Sequence, residues 1–103
     1  MTEPKTLSLL EIKRSLRHLP GWKYHKNKIT KTFEFKRFKD GIAVIDNLAP
    51  FCDRIDHHPD IRINYKKVTF ELTRYSVGGK VTDRDFVVAD HIEKLYSRYK
   101  KTR

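Results

Sequence analysis

The segment Asp53–Pro59, with the sequence Asp-Arg-Ile-Asp-His-His-Pro, places two imidazoles beside two carboxylates. Proline disfavours the α conformation in the residue before it, so we expect a helix to end near His57 and His58 to be extended. Asp53 and His57 would then lie four residues apart on one helical face, within reach of each other. A carboxylate beside an imidazole orients the ring and favours its charged form, which suits proton exchange near neutral pH. The segment is therefore a candidate acid/base site.

Adjacent histidines have two plainer explanations, a solvated surface loop and a metal site. A metal site would need a further ligand, and the distant histidines, His18, His25 and His91, stand at no recognised ligand spacing. The sequence therefore predicts no bound metal. The single cysteine, Cys52, has no disulfide partner in the chain and falls at an apolar position of a helical pattern, so we interpret it as a core residue.

Length and composition indicate a single domain over residues 1–103. With 38% hydrophobic residues, a chain of 103 residues can form one modest core. No apolar stretch approaches the roughly 20 residues that span a membrane, and the N-terminus lacks the apolar segment of a signal peptide. We therefore predict a soluble, cytoplasmic protein with no membrane partner.

The net charge of +10 is of a kind that attracts phosphate backbones. In the sequence this charge is divided among three regions, from Lys26 to Lys39, at Lys66 and Lys67, and from Arg98 to Arg103. None of them contains a zinc-ligand set or an aromatic RNA-binding motif. We predict no specific nucleic-acid partner, and any binding should be weak and independent of sequence.

The N-terminal third of the chain predicts a helix and a hairpin. Ser8 and Glu11 have the spacing of a capping box, and the helix that they begin should end near His18. Beyond Pro20 the hydrophobic period changes to two, which indicates a hairpin with its turn between His25 and Lys28. The residues expected to face the core are Ile29, Phe33 and Phe35.

The remaining elements are two helices and a second hairpin. A helix over about Asp40 to Asp56 should be kinked by Pro50, and its apolar stripe comprises Ile42, Ile45, Leu48, Cys52 and Ile55. Two strands follow, joined by a turn near Lys66; their alternating apolar residues are Ile61, Ile63 and Tyr65, then Val68, Phe70 and Leu72. A capping box at Thr82 and Asp85 begins the last helix, whose stripe comprises Phe86, Ala89, Ile92, Tyr96 and Tyr99.

The order αββαββα predicts an α+β fold of two layers, with three helices on one face of a four-stranded antiparallel sheet. The last helix also carries Val88 and Leu95, so its apolar face is wider than a small sheet requires. We therefore expect an interface between copies of the chain, in a homodimer or homotetramer.

The chain resembles the pterin-4a-carbinolamine dehydratases, which in animals also act as the dimerisation cofactor of a homeodomain transcription factor. The features that carry the resemblance span most of the chain: Leu19-Pro-Gly-Trp22, the strand from Ile29 to Phe35, Phe38, Asp53-x-x-x-His57-His58-Pro59, Tyr65 with Val68, Gly78-Gly79 and Thr82-x-x-Asp85. The acidic residue four positions before His-His-Pro is the most specific of them.

The resemblance implies an enzyme that dehydrates a 4a-hydroxytetrahydropterin to the quinonoid dihydropterin and thereby recycles a pterin cofactor. It implies no metal and no organic cofactor. His57 matches the main acid/base histidine of the family and His58 the histidine that holds the pterin, while Asp53 would orient the pair. The other positions expected to bind substrate are Asp56, Pro59, Thr73, Arg74, Tyr75, Ser76, Trp22 and Asp85.

The chain departs from the family pattern at two positions. Tyr75 stands where the family usually has a third histidine, and a phenol is a far poorer proton donor or acceptor at pH 7 than an imidazole. Asp85 matches the acidic position of the family only across a one-residue insertion, so we interpret it first as a helix cap. For Trp22, a core anchor at the start of a strand is at least as good an interpretation as a pocket residue.

Two other functions remain open on the sequence. An enzyme of this fold could act on another pterin, such as the reduced cofactor of molybdenum enzymes. Alternatively, the protein could be a binding module for a pterin, a protein or a nucleic acid with little dehydratase activity. Turnover of a 4a-hydroxypterin would distinguish the enzyme from the binding module.

Overall fold

The computed structural model describes residues 4–74 and 78–100. Its elements are α1 (Leu9–Leu16), β1 (Lys23–His25), β2 (Lys28–Glu34), α2 (Phe38–Ile55), β3 (Asp60–Asn64), β4 (Lys67–Leu72) and α3 (Asp83–Lys100). The strands form one antiparallel sheet in the order β1-β2-β4-β3. The predicted α+β fold and the order αββαββα are confirmed.

Local sequence signals explain the start of α1 and the turn of the β1–β2 hairpin. Ser8 caps α1 through its hydroxyl, and the Glu11 side chain accepts a hydrogen bond from the Ser8 backbone, so the predicted capping box is present. The helix ends at Leu16, two residues before the predicted end. The hairpin turn consists of Lys26 and Asn27, which both have positive φ, the combination that matches the twist of a two-residue hairpin.

The core lies between the sheet and the helices. Alternate residues of β2 and β4 are buried against the helical layer, and the largest of them are Ile29, Phe33, Phe70 and Leu72. The residues between them face the open side of the sheet, where the hydroxyl oxygens of Thr32 and Thr69 are 2.7 Å apart. This alternation is the period-two pattern that predicted the strands.

The stripe predicted for α2 is only partly correct. The helix begins at Phe38 rather than Asp40 and is continuous through Pro50. Leu48 and Cys52 are buried as predicted, but Ile42 is 40% exposed, and the first turns face the core through Gly41 and Val44 instead. The shift arises because Gly41 lacks a side chain and brings the helix against the sheet at Val68.

Two further expectations about apolar residues are wrong. Val88 and Leu95 pack inside the core of the single chain, so they provide no surplus apolar face for an interface on α3. Tyr65 does not continue β3; it has a positive φ in the β3–β4 turn and is 70% exposed. In residues 4–74 and 78–100 no helix is long and apolar enough to cross a membrane.

Candidate active site

The end of α2 determines where the two histidines lie. The helix ends at Ile55, and Asp56 adopts a left-handed conformation, with φ 54° and ψ 51°. The backbone N–H of His57 then donates to the carbonyl of Cys52, at 3.1 Å, which closes the helix end. Because the chain turns at Asp56, His57 does not continue the helical face of Asp53. The expectation that Asp53 and His57 share a helical face is therefore wrong.

His57 lies inside the protein, with 2% of its surface exposed. Its Nε2 is hydrogen-bonded to Oδ1 of Asp85, and its Nδ1 is 3.0 Å from Nη1 of Arg74. A guanidinium can only donate, so Nδ1 must accept from it and the ring hydrogen of a neutral His57 lies on Nε2, facing the carboxylate. The carboxylate of Asp85 thus fixes the tautomer and the orientation of the ring.

Asp85 performs two tasks at the start of α3. One carboxylate oxygen faces His57, and the other accepts a hydrogen bond from the backbone N–H of Thr82, at 2.7 Å. The second contact is the reciprocal half of the predicted capping box, so the expected capping role is confirmed. The side chain is fully buried. Asp85 therefore both caps α3 and pairs with the imidazole of His57.

Arg74 closes the site on the side of Nδ1. Its backbone pairs with Lys80 across the loop that follows β4, and its guanidinium donates to the carbonyl of Asp56, at 2.6 Å, as well as facing His57. The preceding residue, Thr73, is buried and donates from its hydroxyl to the carbonyl of Asn27, at 2.8 Å. These bonds join the end of β4 to the α2 terminus and to the first hairpin.

His58 is the more accessible of the two imidazoles. Its side chain is 54% exposed, and its Nε2 is 2.8 Å from Oδ1 of Asp53, whose side chain is 77% exposed. Asp53 therefore orients His58 rather than His57. His58 and Pro59 border an apolar cavity of about 110 Å³; its other lining residues are Ile45, Leu48, Ala49, Cys52 and Ile61. Typical ligand pockets have about 300–1,000 Å³, so this cavity is too small to enclose a ligand of ordinary size.

Several predicted residues lie elsewhere or serve the fold. Trp22 is buried, donates from its indole N–H to Glu93, at 2.8 Å, and packs edge-on against Phe33, which supports the interpretation as a core anchor. Cys52 is 2% exposed, and burial raises the pKa of its thiol to about 11, with the charge of Asp53 acting in the same direction. The thiol is thus protonated at neutral pH and belongs to the core.

Three residues remain: Tyr75 and Ser76, which were expected to bind substrate, and Arg84, which the sequence analysis did not predict. Tyr75 and Ser76 lie outside the described residues. The sequence did not single out Arg84, whose guanidinium donates to the carbonyl of Ile55, at 3.2 Å, and so satisfies part of the α2 terminus. No spacing rule would have found it, because the two residues are far apart in the chain.

A second cavity of about 410 Å³ lies between α2 and α3, and neither site histidine lines it. His91, on its border, stacks on Phe51 with the ring centres 3.9 Å apart and the planes at 8°. Burial lowers the pKa of His91, and the charges of Lys94 and Arg54 act in the same direction.

Within the described parts of the chain, no group of three or more side chains could hold a metal ion.

Comparison with known proteins places the chain in a family. A sequence model of pterin 4 alpha carbinolamine dehydratase matches residues 5–95. A relative from Sulfolobus acidocaldarius, provisionally named a pterin-4-alpha-carbinolamine dehydratase, is 44% identical over 85 residues, 82% of this chain and 92% of its own. One from Aquifex aeolicus with the same provisional name is 38% identical over 91 residues, 88% of this chain and 91% of its own.

Solved structures agree with this assignment. A Brucella melitensis protein described as a transcriptional coactivator/pterin dehydratase superposes with a TM-score of 0.83 at 28% identity, covering 88% of this chain and 98% of its own. A pterin dehydratase-like RuBisCO assembly factor of the alpha-carboxysome has a TM-score of 0.60 at 22% identity over 76% of this chain and 92% of its own, which shows a shared fold alone. The chain belongs to the pterin-4a-carbinolamine dehydratase family.

Proposed function

We propose that this protein dehydrates a 4a-hydroxytetrahydropterin, with 4a-hydroxytetrahydrobiopterin as the candidate substrate, and so recycles a pterin cofactor in the cytoplasm. The observation that carries the proposal is the position of His57 between a buried carboxylate and a group that can be displaced. Nε2 is held by Asp85, whereas Nδ1 faces the guanidinium at the end of the long Arg74 side chain.

The reaction breaks the bond from C4a to the hydroxyl oxygen, and the adjacent ring nitrogen loses its proton while the hydroxyl leaves as water. An imidazole with a lone pair facing the ring can accept one proton and return it to the departing oxygen. In His57 that lone pair is on Nδ1, because Asp85 keeps the hydrogen on Nε2. Arg74 occupies the position that the substrate would take, so substrate binding must displace its guanidinium from Nδ1.

His58 and Asp53 are suited to hold the pterin. Their hydrogen-bonded pair lies at the surface, beside the apolar cavity that Pro59 borders. A flat ring can rest on this apolar floor while His58 contacts its polar edge. Thr73 and Arg74 approach from the β4 side, and the carbonyl of Asp56 already accepts a hydrogen bond from Arg74. The substrate would therefore lie between the α2 terminus and the end of β4.

We also propose that the protein forms a homodimer or homotetramer. The support comes from β3, an edge strand whose five residues are all exposed and which presents Ile61 and Ile63 to solvent. An exposed apolar edge strand offers unpaired backbone groups to another copy.

The proposal predicts turnover of chemically generated 4a-hydroxytetrahydropterin, followed as the quinonoid product appears, at a rate that a chelator does not change. Proton transfer by imidazoles requires no metal. Activity that is lost with a chelator and restored by zinc would contradict this mechanism. Pterin binding without turnover would identify a binding module instead of an enzyme.

A second prediction concerns Tyr75, the position at which the family usually has a further histidine. A second imidazole would allow a hydroxyl to be protonated from the other face of the ring, so we expect the protein to process one 4a-hydroxy stereoisomer faster than the other. Tyr75→His should raise the rate on the slower isomer, measured by stopped-flow decay of both. Tyr75→Phe is the control for packing and hydrogen bonding. Equal rates on both isomers in the unmodified protein, unchanged by the histidine, would mean that residue 75 takes no part in proton transfer.

A further inference from the structure

The fold brings together two basic segments that are separate in the sequence. The backbone N–H of Phe35 donates to the carbonyl of Lys66, at 2.8 Å, and Glu34 pairs with Lys67 in the sheet register. The β2–α2 connection therefore lies beside the β3–β4 turn. We call this surface the basic end, and its residues are Lys36, Lys39, Tyr65, Lys66 and Lys67.

The basic end lies at the opposite end of the sheet from His57. The candidate active site is at the carboxyl end of β4, while Lys67 begins that strand. Helix α2 is fixed above the basic end through Gly41, where an added Cβ would approach a Val68 methyl carbon to 2.9 Å. Close packing of α2 on β4 thus holds the basic end in place. The basic end is separate from the proposed catalytic residues, which lie at the other end of β4.

The four lysines of the basic end have no ion-pair partner among the described residues. Four lysines elsewhere in the described residues do form ion pairs: Lys5 with Glu11, Lys28 with Glu71, Lys31 with Glu93 and Lys94 with Asp90. The nearest buried acid, Asp40, is already paired with Arg37. Glu34, opposite Lys67 in the sheet register, is a neighbouring carboxylate, so the four lysines leave an excess of positive charge at the basic end. Such an excess favours contact with a polyanion.

An exposed aromatic ring accompanies this charge. Tyr65 is 70% exposed, and the ammonium group of Lys66 is 5.1 Å from the centre of its ring. The positive φ of Tyr65, 55°, places it at the tip of the turn rather than in the strand. An exposed ring beside lysines can stack on a nucleobase while the ammonium groups contact the flanking phosphates.

We propose that the basic end binds single-stranded nucleic acid without reading its sequence. A duplex is a poorer fit, because the helices within residues 4–74 and 78–100 pack against the sheet and none of them projects to enter a groove. An anionic membrane lacks the stacked bases that would use the tyrosine ring. The charges account for affinity, and the ring accounts for the preference for unpaired bases. This inference is independent of the proposed dehydratase activity.

The test measures fluorescence anisotropy of a labelled deoxythymidine oligomer of about 20 nucleotides, longer than one binding site, over about 50 to 200 mM salt. Four phosphate contacts predict a slope of about −3 in a plot of log K against log salt for the unmodified protein. The triple variant Lys36→Gln, Lys66→Gln, Lys67→Gln lacks three of these contacts, so the magnitude of the slope should fall by about 2. The matched control is Lys13→Gln, Lys23→Gln, Lys26→Gln, which removes the same charge from other surfaces and should retain most of the slope. Equal losses in the two triple variants would overturn the proposal.

The aromatic contribution is tested separately. Tyr65→Ala should weaken binding about tenfold, while Tyr65→Phe, which keeps the ring, should bind nearly as the unmodified protein does. Light scattering of each variant checks that its molecular mass in solution is unchanged. The proposal is overturned if Tyr65→Ala does not weaken binding of the oligomer, or if the weaker binding is accompanied by a change in molecular mass. It is also overturned if the protein binds a duplex as tightly as the single strand, or if it binds only anionic phospholipid vesicles.

Discussion

His57→Ala is expected to lower kcat by about 100-fold or more, because the variant lacks the imidazole whose Nδ1 would exchange the proton with the substrate. His58→Ala should chiefly raise KM, since His58 lies at the surface beside the apolar cavity and would hold the ring. The measurement is steady-state turnover of 4a-hydroxytetrahydropterin at several substrate concentrations, so that kcat and KM are obtained separately.

His18→Ala is the matched control, because it removes an exposed imidazole from the region after α1, which contributes nothing to the site. Since His57 is buried, circular dichroism and urea unfolding must show that its alanine variant is folded at the assay temperature. If a folded His57→Ala variant retains kcat while His58→Ala loses it, proton transfer belongs to His58 and Asp53. Unchanged kinetics in both variants would remove the histidine pair from the mechanism.

The second large effect is expected on stability. Asp85→Ala should lower the free energy of unfolding by about 3 kcal/mol, because it leaves two buried donors, Nε2–H of His57 and the backbone N–H of Thr82, without an acceptor. Asp83→Ala is the matched control on the same helical turn. Its exposed carboxylate accepts from the backbone N–H of Lys5, at 3.0 Å, so its loss should cost about 1 kcal/mol or less.

Urea unfolding of both variants checks this prediction, and equal midpoints would mean that the buried pair adds nothing to stability. Asp85→Asn separates stability from positioning because it retains the size of the side chain. Its amide can donate to Nε2 and so favours the tautomer with the hydrogen on Nδ1, which faces the donor Arg74. We expect kcat to fall while KM changes little. An Asn variant with normal kcat would show that Asp85 only stabilises the fold.

The sequence alone determined the elements, their order and much of the core. Capping at Ser8, the turn at Lys26 and Asn27, and strand alternation through Phe33 and Phe70 depend on residues a few positions apart, so local patterns contain the necessary information. The end of α2 before His58-Pro59 was predictable for the same reason. The motif Asp53-x-x-x-His57-His58-Pro59, together with the other features along the chain, also indicated the family, which the comparisons show.

Only the tertiary structure decided which groups meet. One left-handed residue, Asp56, turns His57 away from Asp53 and into the protein, where it meets a carboxylate 28 positions later. Strand register and helix packing bring Arg74 to Nδ1 and place Lys36 beside Lys66. Such contacts depend on how whole elements pack rather than on neighbouring residues. The sequence therefore identified the two imidazoles, while the partners that orient them and the joining of the basic segments were determined by the packed fold.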